Sequence, residues 1–158
     1  MTYNNIPFEM IEQIIQSLAN SPQYKHKIDT YSIIPFTEKN DYSACTLYLD
    51  QTIVLYRQAK MTPKKEGLFV AIWKRNENYD TAPYSIDDSF DYLLIAVDTG
   101  IEKGYFLFPK EVLVELNLIS SAIKEGKRGT RIYPQQTVGM NRQALVTYSK
   151  QIRCYHTV

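Results

Sequence analysis

GLFVAIWKR, residues 67–75, is the most strand-like stretch of the chain. It is rich in β-branched and aromatic residues, opens on a glycine and closes on two cations, which is the pattern of a strand. Both of its faces are apolar from Leu68 to Trp73, so the pattern predicts a central strand. A turn is predicted just before it, at residues 62–67, where Pro63 restricts φ.

Short strands and helices are predicted on both sides of this segment. Apolar residues at helical spacing predict helices, and β-branched runs bounded by turn residues predict strands. The predicted helices are 8–20, 109–117 and 140–153, and the predicted strands are 43–49, 52–59, 91–97, 104–108 and 131–133. Residues 43–49 and 52–59 would form a hairpin, and 91–97 and 104–108 a second pair. We expect an α+β fold with a mostly antiparallel sheet or partly open β-barrel of about six strands and flanking helices.

The bulk composition predicts a globular cytoplasmic protein. The chain has 158 residues, of which 44% are hydrophobic and 22% charged, so we expect a single domain over 1–158. No apolar run approaches the ~20 residues of a membrane span, and the first ten residues lack the pattern of a signal peptide. Cys45 and Cys154 are the two cysteines, too few for a disulfide framework.

Positive charge is concentrated in two windows, residues 57–75 and 124–142. Together the windows hold 11 basic and 2 acidic residues, a net charge of +9, while the rest of the chain holds 7 and 15, a net charge of −8. Near-neutral solubility does not require such segregation. If the fold brings the windows together, the result is the positive surface that a phosphate-rich partner recognises.

These windows supply the candidate binding residues for a nucleic acid, either DNA or RNA. Cations on turns and strand ends are expected to contact phosphates, which position a partner without specifying its sequence: Lys60, Lys64, Lys65, Lys74, Arg75, Lys127, Arg128 and Arg131. Arg57 and Tyr133 are candidates to hold a base or a sugar. Trp73 also adjoins cations, but its apolar strand favours a place in the core.

Arg57 stands in an apolar context and therefore needs a partner. If residues 52–60 alternate, its side chain shares a face with Ile53, Leu55 and Ala59, and an unpaired buried charge is costly. The partner would be either a ligand phosphate or carboxylate held by the planar guanidinium or a protein carboxylate. The candidate carboxylates are Asp87, Asp88 and Asp91.

The sequence is also compatible with two functions other than nucleic-acid binding. The same cations could converge on one phosphate or carboxylate of a small molecule or nucleotide. A metal-dependent nuclease would need clustered carboxylates with a lysine, and Glu125-Gly126-Lys127 with Asp87, Asp88 or Asp91 fits that requirement only formally. The spacing of cysteine and histidine matches no zinc motif. We therefore expect no metal, no cofactor and no catalytic residues.

Three spaced blocks of the sequence resemble the MepB-like family. The first matches a T-P-x-K-x-G-x-F pattern followed by W-K-R, and is formed by Thr62, Pro63, Lys65, Gly67, Phe69, Trp73, Lys74 and Arg75. The second is GYFLFP at 104–109, and the third runs from Gly126 to Pro134 through Lys127, Arg128, Gly129, Arg131 and Tyr133. In the tail, Ala144, Gln151 and Tyr155 match, but an expected second tryptophan is missing. The resemblance implies a fold similar to DNA-binding pseudobarrels and implies no catalytic residues.

Overall fold

Two larger sheets, a two-stranded ribbon and three α-helices make up the computed structural model, which describes residues 5–158. In chain order the elements are α1 (Phe8–Ala19), β1 (Tyr31–Pro35), β2 (Cys45–Leu49), β3 (Thr52–Gln58), β4 (Lys60–Met61), β5 (Leu68–Ala71), β6 (Lys74–Arg75), β7 (Thr81–Ala82), β8 (Tyr92–Asp98), β9 (Lys103–Pro109), α2 (Lys110–Glu115), β10 (Gly129–Ile132), α3 (Arg142–Gln151), a 3₁₀ turn (Ile152–Cys154) and β11 (Tyr155–Thr157). The short β6–β7 ribbon pairs separately from the two sheets. The predicted α+β class is confirmed.

The larger sheet has six strands in the order β1-β2-β3-β8-β9-β11. Its neighbours are antiparallel except for β3 and β8, which run parallel. Both predicted pairs occur here, as β2–β3 and β8–β9. The β2–β3 turn contains no glycine, and Asp50 adopts a φ of 53° there. An aspartate tolerates this conformation, and the Asp50 carboxylate also accepts hydrogen bonds from the backbone N–H groups of Asp29 and Thr30.

The hydrophobic core lies on both faces of this sheet. On one face α1 packs Ile11, Ile14 and Leu18 against inward residues of the central strands, among them Val54 and Tyr56. On the other face the alternate residues of β3, β8 and β9 pack against the smaller sheet and α2. Because the side chains of a strand alternate between faces, β3 contributes to both clusters.

The smaller sheet has three strands in the order β10-β5-β4, and its β5 is formed by the first part of the strand-like 67–75 stretch. β5 is central, as predicted, with Leu68 and Val70 buried and Phe69 and Ala71 only half-buried on the outer face. The prediction of one strand over 67–75 is wrong, because β5 ends at Ala71. Beyond it, β6 pairs with β7.

The described residues form no closed barrel. The six-stranded sheet has β1 and β11 at its two edges, and β10 and β4 are the edges of the smaller sheet. Sequence reasoning also missed β1 and β11, whose exposed and half-buried residues give no clear alternation of burial. No helix within residues 5–158 is both long enough and apolar enough to cross a bilayer.

Candidate functional site

Pairing between β5 and β10 makes the two basic windows neighbours. Gly129 lies opposite Ala71, and Ile132 lies opposite Leu68. Just beyond the strands, the Ile72 N–H donates to the Arg128 carbonyl at 2.9 Å. The windows, separated by some fifty residues of sequence, are thus joined by backbone hydrogen bonds.

Residues of both windows line a concavity of about 790 Å³, which we call the groove. Its walls are the 62–67 turn, β10 and the start of α3, with Phe69 on the outer face of β5 between them. Five predicted site residues line it: Lys64, Lys65, Lys127, Arg131 and Tyr133. The three lysines are exposed, and within residues 5–158 none of them forms an ion pair.

Arg131 uses its guanidinium to hold the 62–67 turn. Its Nε donates to the Glu66 carbonyl at 2.9 Å, and one terminal nitrogen donates to the Thr62 hydroxyl at 2.7 Å and to the Gly67 carbonyl at 3.2 Å. Two of the three guanidinium nitrogens of Arg131 are therefore used to hold the turn, and its role as a phosphate contact stays a prediction.

Tyr133 forms part of the packed floor of the groove, with 7% of its surface exposed. Gly67 has a φ of 78°, and a Cβ there would lie 2.6 Å from the Tyr133 ring. The Tyr133 N–H donates to the buried Gln151 side chain at 3.1 Å, and Gln151 in turn donates to the Arg131 carbonyl. Tyr133 thus packs against the turn, and its burial does not suit the predicted contact with a base or sugar.

Polar residues of α3 complete the groove, and sequence reasoning missed them. Asn141, Gln143 and Thr147 line its far side, and the Asn141 side chain caps the helix by accepting from the Ala144 N–H at 2.9 Å. The N-terminus of a helix carries a partial positive charge, so α3 adds to the positive character of this side. In the sequence, Asn141 could have indicated the start of this helix, because asparagine is a preferred N-cap residue.

A second concavity of about 550 Å³, the cleft, lies next to the groove on the same face of the small sheet. Ala71 lines the cleft and Phe69 lines the groove, and the Tyr42 ring stands between them, 6.2 Å from that of Phe69. Further aromatic side chains line the cleft beside the polar 37–41 segment. They include Phe36, Trp73 and Tyr84.

Lys74 and Arg75 lie in the cleft and are paired with acids. The Lys74 ammonium contacts the Asp88 carboxylate at 2.7 Å. Arg75 forms two hydrogen bonds to Glu38, at 2.7 and 3.1 Å, and its guanidinium lies 4.9 Å from the Trp73 ring centroid. The hydrogen bonds from Arg75 lower the pKa of Glu38. The prediction that Trp73 lies in the core is wrong, because the strand ends before it and leaves it half-buried.

Arg57 lies at the base of the cleft with 2% of its surface exposed. Its terminal nitrogens donate to the Tyr56 carbonyl at 2.8 Å and to the Tyr84 hydroxyl at 3.1 Å, and its guanidinium lies 4.4 Å from the Phe36 ring centroid. The protein-carboxylate alternative is wrong for residues 5–158, where Arg57 forms no ion pair. Of the three candidate aspartates, Asp88 binds Lys74 and the Ser85 N–H, and Asp91 accepts from the Ile53 N–H.

Lys60 and Arg128, the remaining predicted contacts, lie beside the two concavities. Lys60 is 4.0 Å from the Asp41 carboxylate and 5.8 Å from the Tyr42 ring centroid. Arg128 donates to the carbonyl and hydroxyl of Thr81 and lies 3.8 Å from Glu125. Both side chains are half-exposed or more, so each could exchange these weak contacts for a phosphate.

A family profile and a solved structure both relate this chain to the same family. The profile of the MepB-like family matches residues 37–157, which include the whole groove and all of the cleft except Pro35 and Phe36. The chain belongs to the MepB-like family. A crystal structure of MepB superposes with a TM-score of 0.77, at 29% sequence identity and with 98% of each chain covered. No curated protein matches.

Within residues 5–158 of this MepB-like protein, no group of three or more His, Cys, Asp or Glu side chains is placed to hold a metal ion. Glu125, the acid of the formal Glu-x-Lys pattern, lies beside Arg128. Both cysteines are buried, and burial raises the pKa of the Cys45 thiol to about 12 and also raises that of Cys154. Neither thiol has the lowered pKa of a reactive nucleophile.

Proposed function

We propose that this protein binds nucleic acid along the groove, using the lysines of both basic windows. The observation that carries the proposal is the meeting of Lys64, Lys65 and Lys127 around one concavity without an acidic partner in the described part of the chain. A cation that has no protein partner is available to neutralise a phosphate and release its counterion.

The proposed contact set is smaller than the eight cations suggested by the sequence. Lys74 and Arg75 are paired with acids, and Arg131 holds the turn. Lys64, Lys65 and Lys127 carry the interaction, with Lys60 and Arg128 at its margins. Since lysines on a turn act as point charges and not as a fixed fork, the groove suits a repeating phosphate backbone of either DNA or RNA, contacted in the cytoplasm.

The fold also supports this role. The small sheet presents its outer face and one concave side to solvent, and the family resemblance implies similarity to DNA-binding pseudobarrels. We include that similarity in the proposal: an open arrangement of two sheets in which the smaller one meets the nucleic acid. Polar α3 side chains on the opposite wall, such as Gln143 and Thr147, could add hydrogen bonds to phosphate or sugar oxygens.

The test is an oligonucleotide titration over a range of salt concentrations, with a matched pair of double variants. Each phosphate neutralised contributes about −0.7 to −0.9 to the log–log salt slope, so three lysines predict a slope of about −2 to −3. Lys64→Ala/Lys65→Ala should weaken binding and flatten the slope by about two phosphates. Lys25→Ala/Lys27→Ala removes two exposed lysines from the segment after α1 and should leave both unchanged.

Three outcomes would count against the function as proposed. If the two double variants weaken binding equally, the groove is not the binding surface. If a mononucleotide binds as tightly as the oligonucleotide and competes with it fully, the groove is a nucleotide pocket and not a polymer site. The same samples, incubated with Mg²⁺ or Mn²⁺, should leave the oligonucleotide intact. Cleavage that disappears in Glu125→Ala or Asp91→Ala would make the protein a nuclease.

A further inference from the structure

The cleft contains a buried cation whose charge is not balanced by a protein acid among residues 5–158. Arg57 is almost completely buried at its base, and its hydrogen-bond partners are a backbone carbonyl and the Tyr84 hydroxyl, both uncharged. These bonds use two of the five N–H donors of a guanidinium. A buried charge of this kind is costly unless something compensates it, and aromatic rings compensate only in part.

The neighbouring charges do not provide that compensation. Two acids line the cleft: Glu38 is bonded to Arg75, and Asp41 lies 4.0 Å from Lys60. Asp88, outside the lining, is bonded to Lys74. The Arg57 charge also acts on the buried thiol of Cys45, where it opposes the rise in pKa caused by burial. The base of the cleft is thus electropositive, while its acids are already engaged by other cations.

Apolar surface predominates in the cleft, and much of it is aromatic. Phe36, Tyr42, Trp73 and Tyr84 contribute rings, and Ala71 contributes a small side chain on the outer face of β5. A concavity of about 550 Å³ lies within the range of small-molecule sites, which are mostly apolar with a few convergent polar groups. The guanidinium, held in place by Tyr84, would present its free donors to a ligand as a fork, the geometry that suits a carboxylate.

We infer that the cleft binds a small planar carboxylate, with its carboxyl group on Arg57 and its apolar body between the aromatic walls. This site is separate from the proposed nucleic-acid groove and does not depend on it, since none of the three groove lysines lines the cleft. A carboxylate is favoured over a neutral base, because only an anion balances the Arg57 charge.

Trp73 provides the readout, because it is the only tryptophan in the chain and it lines the cleft. The probes are benzoate and its neutral counterpart, benzamide, titrated against the 158-residue protein by Trp73 fluorescence and calorimetry. We expect the carboxylate to change the Trp73 emission saturably and to bind at least tenfold more tightly than the amide.

Two variants test the assignment of the site. Arg57→Lys keeps the charge but loses the fork, and should weaken carboxylate binding at least tenfold. Ala71→Phe fills the cleft from the outer face of β5 and leaves the Arg57 charge in the chain, and should abolish binding even if Arg57→Lys fails to fold. Lys65→Ala in the groove is the control and should bind the probe as the wild type does. A thermal melt of each variant establishes that it is folded.

Several outcomes would overturn the inference. Equal affinity for the carboxylate and the amide would mean that the Arg57 charge does not contribute to binding. Carboxylate binding that survives Ala71→Phe would place the ligand elsewhere. If single-stranded oligonucleotide changes Trp73 emission while the carboxylate does not, the cleft accepts a base and belongs to the nucleic-acid site.

One outcome would support the separation of the two sites. The Lys64→Ala/Lys65→Ala variant should lose oligonucleotide binding and retain carboxylate binding.

Discussion

The groove and the cleft are neighbours on one face of the small sheet, yet they use their cations in opposite ways. In the groove, Lys64, Lys65 and Lys127 form no ion pair within residues 5–158, whereas Lys74 and Arg75 in the cleft are bonded to Asp88 and Glu38. Both sets come from the same basic windows of the sequence. The contrast shows that the charge counted along a chain is not the charge that remains available to a partner after folding.

The largest expected effect concerns the turn that carries the groove lysines. Gly67→Ala would put a Cβ 2.6 Å from the Tyr133 ring at a φ of 78°, so we expect the free energy of unfolding to fall by roughly 2–5 kcal/mol from left-handed strain and overpacking. Urea denaturation measures it. If the groove depends on this contact and the cleft does not, oligonucleotide affinity should also fall while Trp73 keeps its native emission below the melt.

A matched control is available in Gly100→Ala. Gly100 has a similar φ of 86°, but an added Cβ would meet nothing within 4 Å. Only the conformational cost of about 1–2 kcal/mol should then appear. Equal losses at the two glycines would mean that contact with Tyr133 does not shape the groove.

The next prediction compares two cations of the groove: Arg131, which stabilises the turn, and Lys127, which is available to a partner. Arg131→Met removes the hydrogen bonds to Glu66, Thr62 and Gly67, and should lower the free energy of unfolding by about 2 kcal/mol, as expected when a charged group loses its hydrogen bonds. Lys127→Ala, an exposed lysine without an ion pair in the described chain, should change stability by no more than about 0.5 kcal/mol. If the two variants are equally stable in urea, Arg131 does not stabilise the turn more than Lys127 does.

The smallest expected effect is the pH dependence of stability that comes from the Glu38–Arg75 pair at the rim of the cleft. The pKa of Glu38 is lowered from the ordinary value of 4.5 by its hydrogen bonds to Arg75. The stabilisation from this pair is therefore present above pH 4.5 and is lost as the pH falls through the lowered pKa of the folded state. An NMR titration of the Glu38 carboxyl should give a midpoint below 4.5 that moves toward 4.5 in Arg75→Gln. A midpoint unaffected by that substitution would contradict the pairing.

Much of the fold could be predicted from local pattern. The helix at α1 and the strands of the β2–β3 and β8–β9 pairs follow from apolar periodicity, and their pairing follows from short connections. The edge strands β1 and β11 were missed because an exposed edge does not need alternating burial. The 67–75 segment was misjudged because its run of apolar residues continues past Ala71, where the chain leaves the small sheet.

The candidate site was predicted less completely, and the reason is physical. Residue types identify which side chains carry charge, and the windows were found in that way. Which acid meets which base depends on long-range contacts such as Glu38 with Arg75 and Glu66 with Thr137, for which spacing along the chain gives no signal. The placement of Arg57 on the face of Leu55 and Ala59 was correct because strand alternation is local.

The way in which Arg131 holds the 62–67 turn has a consequence for how this surface can evolve. Three of its hydrogen bonds go to the backbone carbonyls of Lys65, Glu66 and Gly67, and a backbone carbonyl is present whatever side chain its residue carries. The turn can therefore accept other side chains at positions 64 and 66, which the T-P-x-K-x-G-x-F pattern leaves open, and acquire new recognition properties without losing its anchor. Insertions or deletions would shift the carbonyls out of register with the guanidinium, so variation among relatives at this turn should consist of substitutions at these two positions and not of changes in length.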